Sequence, residues 1–360
     1  MLRNEDLAAA VKAGVITAEQ QAALEAQASD RRAARPFASG RDERFRFLRG
    51  FNDVFLSLGV LLVTGAFLTQ WSPYRNTGGL TLLAGAAVLW GISEVLVARH
   101  KAVLPGMAAV LAIGTLCSLA GGQWAVNAGI DTIASSRNAG TAMRQYPFGV
   151  WLITAGSGGL AVLLFYLRFR LPFALLPLGF GVMATVLLAI VNKFGFDTTM
   201  PLLNSAALLL GIATFGLAMR FDSSDPERLT RRSDCGFWLH LAAAPFIVHP
   251  VISMLAKGET AGAALVTIAV VILLGTVALI VDRRALLVSS LTYFGLAVGY
   301  LVRTSSGNIE TSLTLTLALL GLFVILMGLG WHRLRGVLLS PFASSNWLKR
   351  LPPVQKTNLA

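Results

Sequence analysis

The sequence predicts an all-α membrane protein, a polytopic bundle of about ten transmembrane helices with both termini in the cytoplasm. Three observations carry this reading. The 360 residues are 55% hydrophobic and only 13% charged, where a soluble domain carries about 25% charged residues. Ten apolar segments each reach the roughly 20 residues that cross a bilayer as a helix. The basic residues are also unevenly placed: 24 of the 30 Lys and Arg fall on one side once alternate loops are assigned, a strong positive-inside bias.

The segments run Phe51–Trp71, Gly78–Ala98, Val103–Trp124, Phe148–Leu167, Leu171–Val191, Met200–Met219, Phe237–Leu255, Ala261–Val281, Ala285–Val302 and Thr311–Trp331. Residues 51–331 thus form the transmembrane domain, followed by a basic cytoplasmic tail, 332–360. No signal peptide is expected, because residues 1–50 are polar. Cys117 lies deep in the third span and Cys235 at the mouth of the seventh, so no disulfide is expected.

Residues 1–28 are expected to form a small cytoplasmic helical hairpin. Leu7, Ala10 and Val11 make one apolar face, and Gly14 offers a helix stop. Thr17 and Gln20 have capping-box spacing for the second helix. Such a hairpin is too small to hold its own core, so it would dock, and a cytoplasmic protein is a candidate partner. The run Ala13-Gly14-Val15-Ile16-Thr17-Ala18-Glu19-Gln20, ahead of a first span ending in Gln70-Trp71, resembles a loose group of bacterial polytopic membrane proteins of uncharacterised function. The resemblance covers residues 5–71. It implies an inner-membrane location and nothing about substrate or chemistry.

The linker, residues 29–50, carries Arg31, Arg32, Arg35, Arg41, Arg44, Arg46 and Arg49 among Phe37, Phe45, Phe47 and Leu48. Arginines beside aromatics can stack on nucleic-acid bases. This arm runs straight into a span, however, so anionic lipid headgroups are the nearer partner and no nucleic acid is expected.

Tight basic turns recur at Arg99-His100-Lys101, Arg168-Phe169-Arg170 and Asp282-Arg283-Arg284, with a longer version around Arg231-Arg232. Their spacing follows no fixed period. Glycines crowd the third, fourth and tenth spans, as close helix packing in lipid requires.

Enzyme signatures are missing. There is no phosphate-binding Gly-rich loop, no His-Glu-x-x-His, no Gly-x-Ser-x-Gly and no Cys-x-x-Cys, so no cofactor is implied. The candidate binding residues are the ionisable groups inside spans: Asp53, Glu94, His240 and His249. Asp53 suits a helix N-terminus, and Asp282 beside Arg283 suits the interface. Glu94 sits at the wrong helix end for an anion, at about the depth of His240. A Glu94–His240 contact is therefore allowed, and a proton or cation could be taken up there; snorkelling of Glu94 towards Arg99 or Lys101 is the alternative. Nine residues separate His240 from His249, about 13 Å of rise and half a turn, so the two cannot share a metal in a straight helix. Pro245 and Pro250 are expected to bend that helix around a polar cavity.

Three functions compete. A transporter or permease for a small solute or ion fits the ten spans and buried ionisable groups. A membrane-embedded assembly protein fits the N-terminal hairpin and the basic arm. A lipid-modifying intramembrane enzyme has only His240, His249 and Glu94 behind it. The topology makes one prediction. An impermeant thiol reagent added from outside should label a cysteine probe at Ser136 and spare one at Ser223; labelling at Ser223 overturns the orientation.

Overall fold

A computed structural model describes residues 10–23, 51–69, 78–128, 148–194, 200–228, 230–258, 260–306, 308–342, 345, 348 and 351–352. The linker arginines and the loop around residue 136 lie outside the described residues. The chain divides into two units, Met1–Arg44 and Phe45–Ala360, each taken by itself here.

In the first unit, residues 10–12 and 18–23 are helical. Gly14 turns the chain at φ +70°, a conformation that costs glycine nothing. The Thr17 N–H donates to Gln20 Oε1 at 2.9 Å and the Gln20 N–H to Thr17 Oγ1 at 3.2 Å, completing the reciprocal capping box.

The second unit is an all-α bundle. Its helices are α1 (Phe51–Leu68), α2 (Gly78–Ser93), α3 (Val103–Asn127), α4 (Phe148–Phe169), α5 (Leu175–Phe194), α6 (Met200–Ser223), α7 (Arg231–Leu255), α8 (Ala261–Val281), α9 (Ala285–Ser306) and α10 (Ile309–Leu339). A π-helical turn, Glu94–Arg99, extends α2, and a 3-10 turn, Pro172–Ala174, leads into α5. Nine helices among the described residues are long and apolar enough to cross a membrane. The tenth, α9, has the length as well, 22 residues. The chain is therefore an integral membrane protein of the multi-pass kind, by the apolarity of its helices.

Packing is organised on α7. Phe237, Trp238 and Leu241 join the core built by α1–α4; Ala244 packs with Ala278 and Trp331; Val248 and Ile252 pack with Val270 and Leu274. The helix thus contributes to all three core clusters, and it has the largest buried share of any span, 61%. It runs unbroken from Arg231 to Leu255 through both prolines. Pro250 has no N–H for the carbonyl of Phe246. That carbonyl is met by α6, where a Cβ on Gly211 would lie 2.8 Å from it, so the glycine lets the α6 backbone cover the released acceptor.

The α3–α4 seam shows the same device. A Cβ on Gly158 would collide with Ser118 Oγ, and one on Gly121 with Ser157 Oγ. Ser157 Oγ itself donates across the seam to the Cys117 carbonyl at 2.9 Å. The small residues are used for packing, as lipid-embedded interfaces demand. By contrast α10 is peripheral. The apolar middle of the helix is unburied, and it is held at its ends by Ser312, Trp331, Arg335 and Leu339.

The seam yields a paired prediction. Gly158→Val overpacks the interface and should destabilise the protein by about 1–3 kcal/mol. Gly156→Ala, whose Cβ meets nothing within 4 Å, should change stability by less than about 0.5 kcal/mol. Thermal unfolding in detergent checks both; equal effects would contradict the seam.

Candidate functional site

The residues that shape the site lie where α6, α7, α8 and α10 end on one face of the bundle. Seven Asp, Glu, Lys or Arg residues are buried among the described residues. One is Asp53 on α1. The other six, Asp222, Asp225, Arg228, Asp282, Arg283 and Arg335, lie together and balance as three carboxylates against three guanidiniums.

Asp222 is the hub of one half. Arg283 grips it with two bonds, Nη2 to Oδ1 at 2.5 Å and Nε to Oδ2 at 3.0 Å, the planar fork that suits a carboxylate. His240 Nε2 lies 2.9 Å from the same Oδ2. A carboxylate only accepts, so Nε2 carries the hydrogen and donates. Arg283 Nη2 also donates to the Ser233 carbonyl at 2.9 Å. Gly236 makes this possible, since a Cβ there would collide with Asp222 Oδ1. The His240 ring is fully buried, with its edge against Phe215. Its second nitrogen, Nδ1, has no hydrogen-bond partner among the described residues.

Asp282 is the hub of the other half. Its carboxylate accepts from Trp331 Nε1 at 2.7 Å and pairs with Arg228 Nη1 at 3.1 Å. Arg335 approaches at 3.9 Å and donates through Nε to the Leu279 carbonyl at 3.0 Å. Arg228 also donates to the Asp282 carbonyl at 2.6 Å. The backbone of Asp282 is left-handed, φ 59°, and caps α8. Asp225 closes the loop below by accepting from the Thr230 N–H at 2.8 Å and Oγ1 at 2.7 Å. Arg284 rests its guanidinium 5.2 Å above the Trp331 ring.

The sequence candidates are thereby redistributed. Glu94 pairs with Arg168 of α4 through two bonds, 3.0 and 2.7 Å, on the bundle surface. It does not contact His240, and it turns to neither Arg99 nor Lys101 for its salt bridge. The π-helical turn places it at the bundle flank while His240 faces inward on α7. Asp282, expected at the interface, is buried because Arg228, Trp331 and Arg335 converge on it. Asp53 occupies the first turn of α1 and is buried. His249 is exposed at the bundle surface, and its Nδ1 is bonded to the Tyr293 hydroxyl of α9.

Tyr293 belongs to a second feature. A cavity of about 630 Å³ opens among the C-terminal end of α7, the N-terminal ends of α8 and α10, and α9. These are the helix ends opposite the ion pairs. Thr267, Tyr293, Tyr300, Arg303, Ser312 and Thr316 give it polar walls, with Ile252, Leu296 and Leu313 between them. Another cleft, about 720 Å³, lies between α3, α4 and α5; Val110, Leu152, Leu163 and glycines dominate its walls, which suits an acyl chain better than a polar solute.

Sequence reading missed Asp222, Arg228, Arg283 and Arg335 as site residues. One signal was available: Asp222, Asp225 and Asp282 stand close in sequence to the arginines of their loops, at the ends of apolar segments. The site defines the chain as a polytopic membrane bundle with a buried, charge-balanced polar cluster on one face and a cavity on the other. Compared with known protein families, curated proteins and solved structures, the chain matches none.

Removing one member of a buried ion pair leaves the other charge stranded. Arg283→Met should cost about 3–5 kcal/mol of stability. Asp222→Leu with Arg283→Met should cost less than the two single changes added together. Thermal unfolding of the three variants checks this; strict additivity would show the pair to be uncoupled.

Proposed function

We propose that this protein is a transporter for a small solute, held here with one face open and the other shut by the ion-pair cluster. The observation that carries the reading is the opposition of the two features on one helix. α7 places His240 in the shut cluster and, three turns on, Ile252 in the open cavity. Ala244 with Phe215, Ala278 and Trp331 fills the space between them with apolar packing. An open cavity, a dry plug and a polar latch are the parts that alternating access needs.

Under the positive-inside assignment the latch faces the cytoplasm and the cavity faces out. The resemblance at the N-terminus supports reading that membrane as a bacterial inner membrane. A static assembly protein has less use for the latch, since a well-packed apolar core of the same volume is often as stable as buried ion pairs. Charges that must separate and re-form in water are better suited to a face that opens.

The test needs no knowledge of the solute. In a Cys117→Ala background, a cysteine probe at position 299 reports the cavity, and the native, buried Cys235 reports the latch. An impermeant thiol reagent should label position 299 from the cavity side and leave Cys235 protected. Adding Asp222→Asn, which weakens the grip of Arg283, should expose Cys235 and protect position 299 in the same molecules. Gain of labelling at Cys235 without loss at 299 would mean local loosening of a fixed bundle, and the transport reading would fail.

A further inference from the structure

Among the described residues, two buried polar atoms of the cluster are left unused, Arg228 Nε and His240 Nδ1, and of the two only the imidazole nitrogen can take up a proton. Asp222 and Asp282 have their carboxylate oxygens engaged, and Arg283 divides its donors between Asp222 and Ser233. The imidazole uses only Nε2. Nδ1 is a buried lone pair with no donor in reach, an uncommon state in a protein interior, where buried polar atoms are nearly always satisfied. We propose that His240 Nδ1 is a proton-binding site that couples proton uptake to opening of the latch face, an inference that rests on the transporter reading above.

The argument is one of charge. The buried groups balance with His240 neutral: Asp222, Asp225 and Asp282 against Arg228, Arg283 and Arg335. A proton on Nδ1 adds a seventh charge in a site closed to water. The carboxylate that faces the ring, Asp222, is already divided between the Arg283 fork and His240 Nε2, so the added charge has only a shared counter-ion. Desolvated, with a shared counter-ion and a new N–H that has no acceptor, such a charge disfavours the shut state. Once the face opens, water hydrates the imidazolium and the penalty disappears. Protonation therefore favours the open face and loss of the proton favours the shut one. Imidazole is the side chain that makes this exchange between pH 5 and 8.

The surroundings leave His240 as the group that can act. From α6 it meets Asp222 and the apolar ring of Phe215; Arg228 reaches it from the α6–α7 loop and Arg283 from the α8–α9 turn. On α7 itself, Ser233 binds Arg283, while Arg231, Arg232 and Asp234 lie in the first turn, roughly 1.7 to 2.5 helical turns away. α5 meets α7 through Gly179 and Ala242, without an ionisable group. α10 contributes Trp331 and Arg335, both engaged with Asp282 or backbone carbonyls. The arginines stay charged at any pH of interest, and both aspartate hubs are clamped by them.

The native Cys235, five residues before His240 and buried, serves as reporter. In the Cys117→Ala protein, reconstituted in lipid nanodiscs, the alkylation rate of Cys235 is measured from pH 8 to pH 5. Each rate is divided by that of the same thiol in the unfolded chain at the same pH, which removes thiol ionisation. The normalised rate should rise tenfold or more towards pH 5. It should be flat in His240→Gln, whose amide can still donate to Asp222 but takes up no proton. A flat profile in the unsubstituted site, or an equal rise in His240→Gln, overturns the proposal.

Should His240→Gln fail to fold, a direct measurement replaces it. Changing His100, His249 and His332 to Gln leaves His240 as the sole imidazole, and nitrogen-15 spectra of the ring then report its state. Neutral imidazole protonated at Nε2 is expected at pH 8, and imidazolium at pH 5, over the same range in which Cys235 becomes reactive. A ring that stays neutral throughout overturns the proton site. Reciprocal labelling of positions 299 and 235 on Asp222→Asn, with a pH-flat latch, would retain transport and reject proton coupling; loss of reciprocity would reject transport itself.

Discussion

The carboxylate of Asp222, shared between Arg283 and His240, is the interaction on which this bundle depends. A charge in a membrane interior is tolerated only when it is paired and hydrogen-bonded. Asp222 meets that condition with ligands from two other elements, the α8–α9 turn and α7. Those ligands in turn fix where α8 ends relative to α6. Three small residues permit it: Gly236 makes room for the carboxylate, Ser233 accepts from Arg283, and Gly211 lets α6 lie against α7. A single side chain thereby sets the register of three helices.

The cluster also explains a peculiarity of the turns. Lys101, Arg170, Arg228 and Asp282 all adopt left-handed backbone, at φ 51° to 59°. Each sits in one of the tight turns on the latch face. Glycine would adopt this conformation at no cost, whereas other residues pay about 1 kcal/mol or more. Charged residues occupy these positions anyway. At Arg228 and Asp282 the reason is visible, since the two pair with each other across the loop and the turn.

Much of the architecture could be read from the sequence because hydrophobic length is a local property. All ten apolar segments became helices, and α7, singled out by its histidines and prolines, is the most buried. The helix ends were less legible. α7 starts six residues earlier than hydropathy suggests, at Arg231, because Thr230 caps it with a bond from the Arg232 N–H. This early start is what brings Ser233 into the cluster. The pairing of ionisable groups was not legible at all. Glu94 and His240 were expected at similar depth, but depth fixes one coordinate, and the bearing of each side chain around its helix axis comes from packing. Asp222 and Arg283 are 61 residues apart, and nothing local links them. The surroundings of the prolines were not legible for a related reason: the cost of a missing bond depends on what covers the freed carbonyl, and that cover, Gly211, sits on another helix.

The long separation within the Asp222–Arg283 pair has a consequence for biosynthesis. Ribosomes add roughly 5–20 residues each second, so the 61 residues between the pair correspond to about 3–12 s. During that interval Asp222 and His240 have been made and their arginine has not. The nascent α6–α7 hairpin must wait at the insertion machinery or at the membrane surface with an acid that only the end of α8 can neutralise. Arg335 arrives later still. The C-terminal third of the chain therefore acts as an internal chaperone for its middle, and a nascent chain cut short before Arg283 would carry an uncompensated buried acid, a mark by which membrane quality control could distinguish unfinished copies from complete ones.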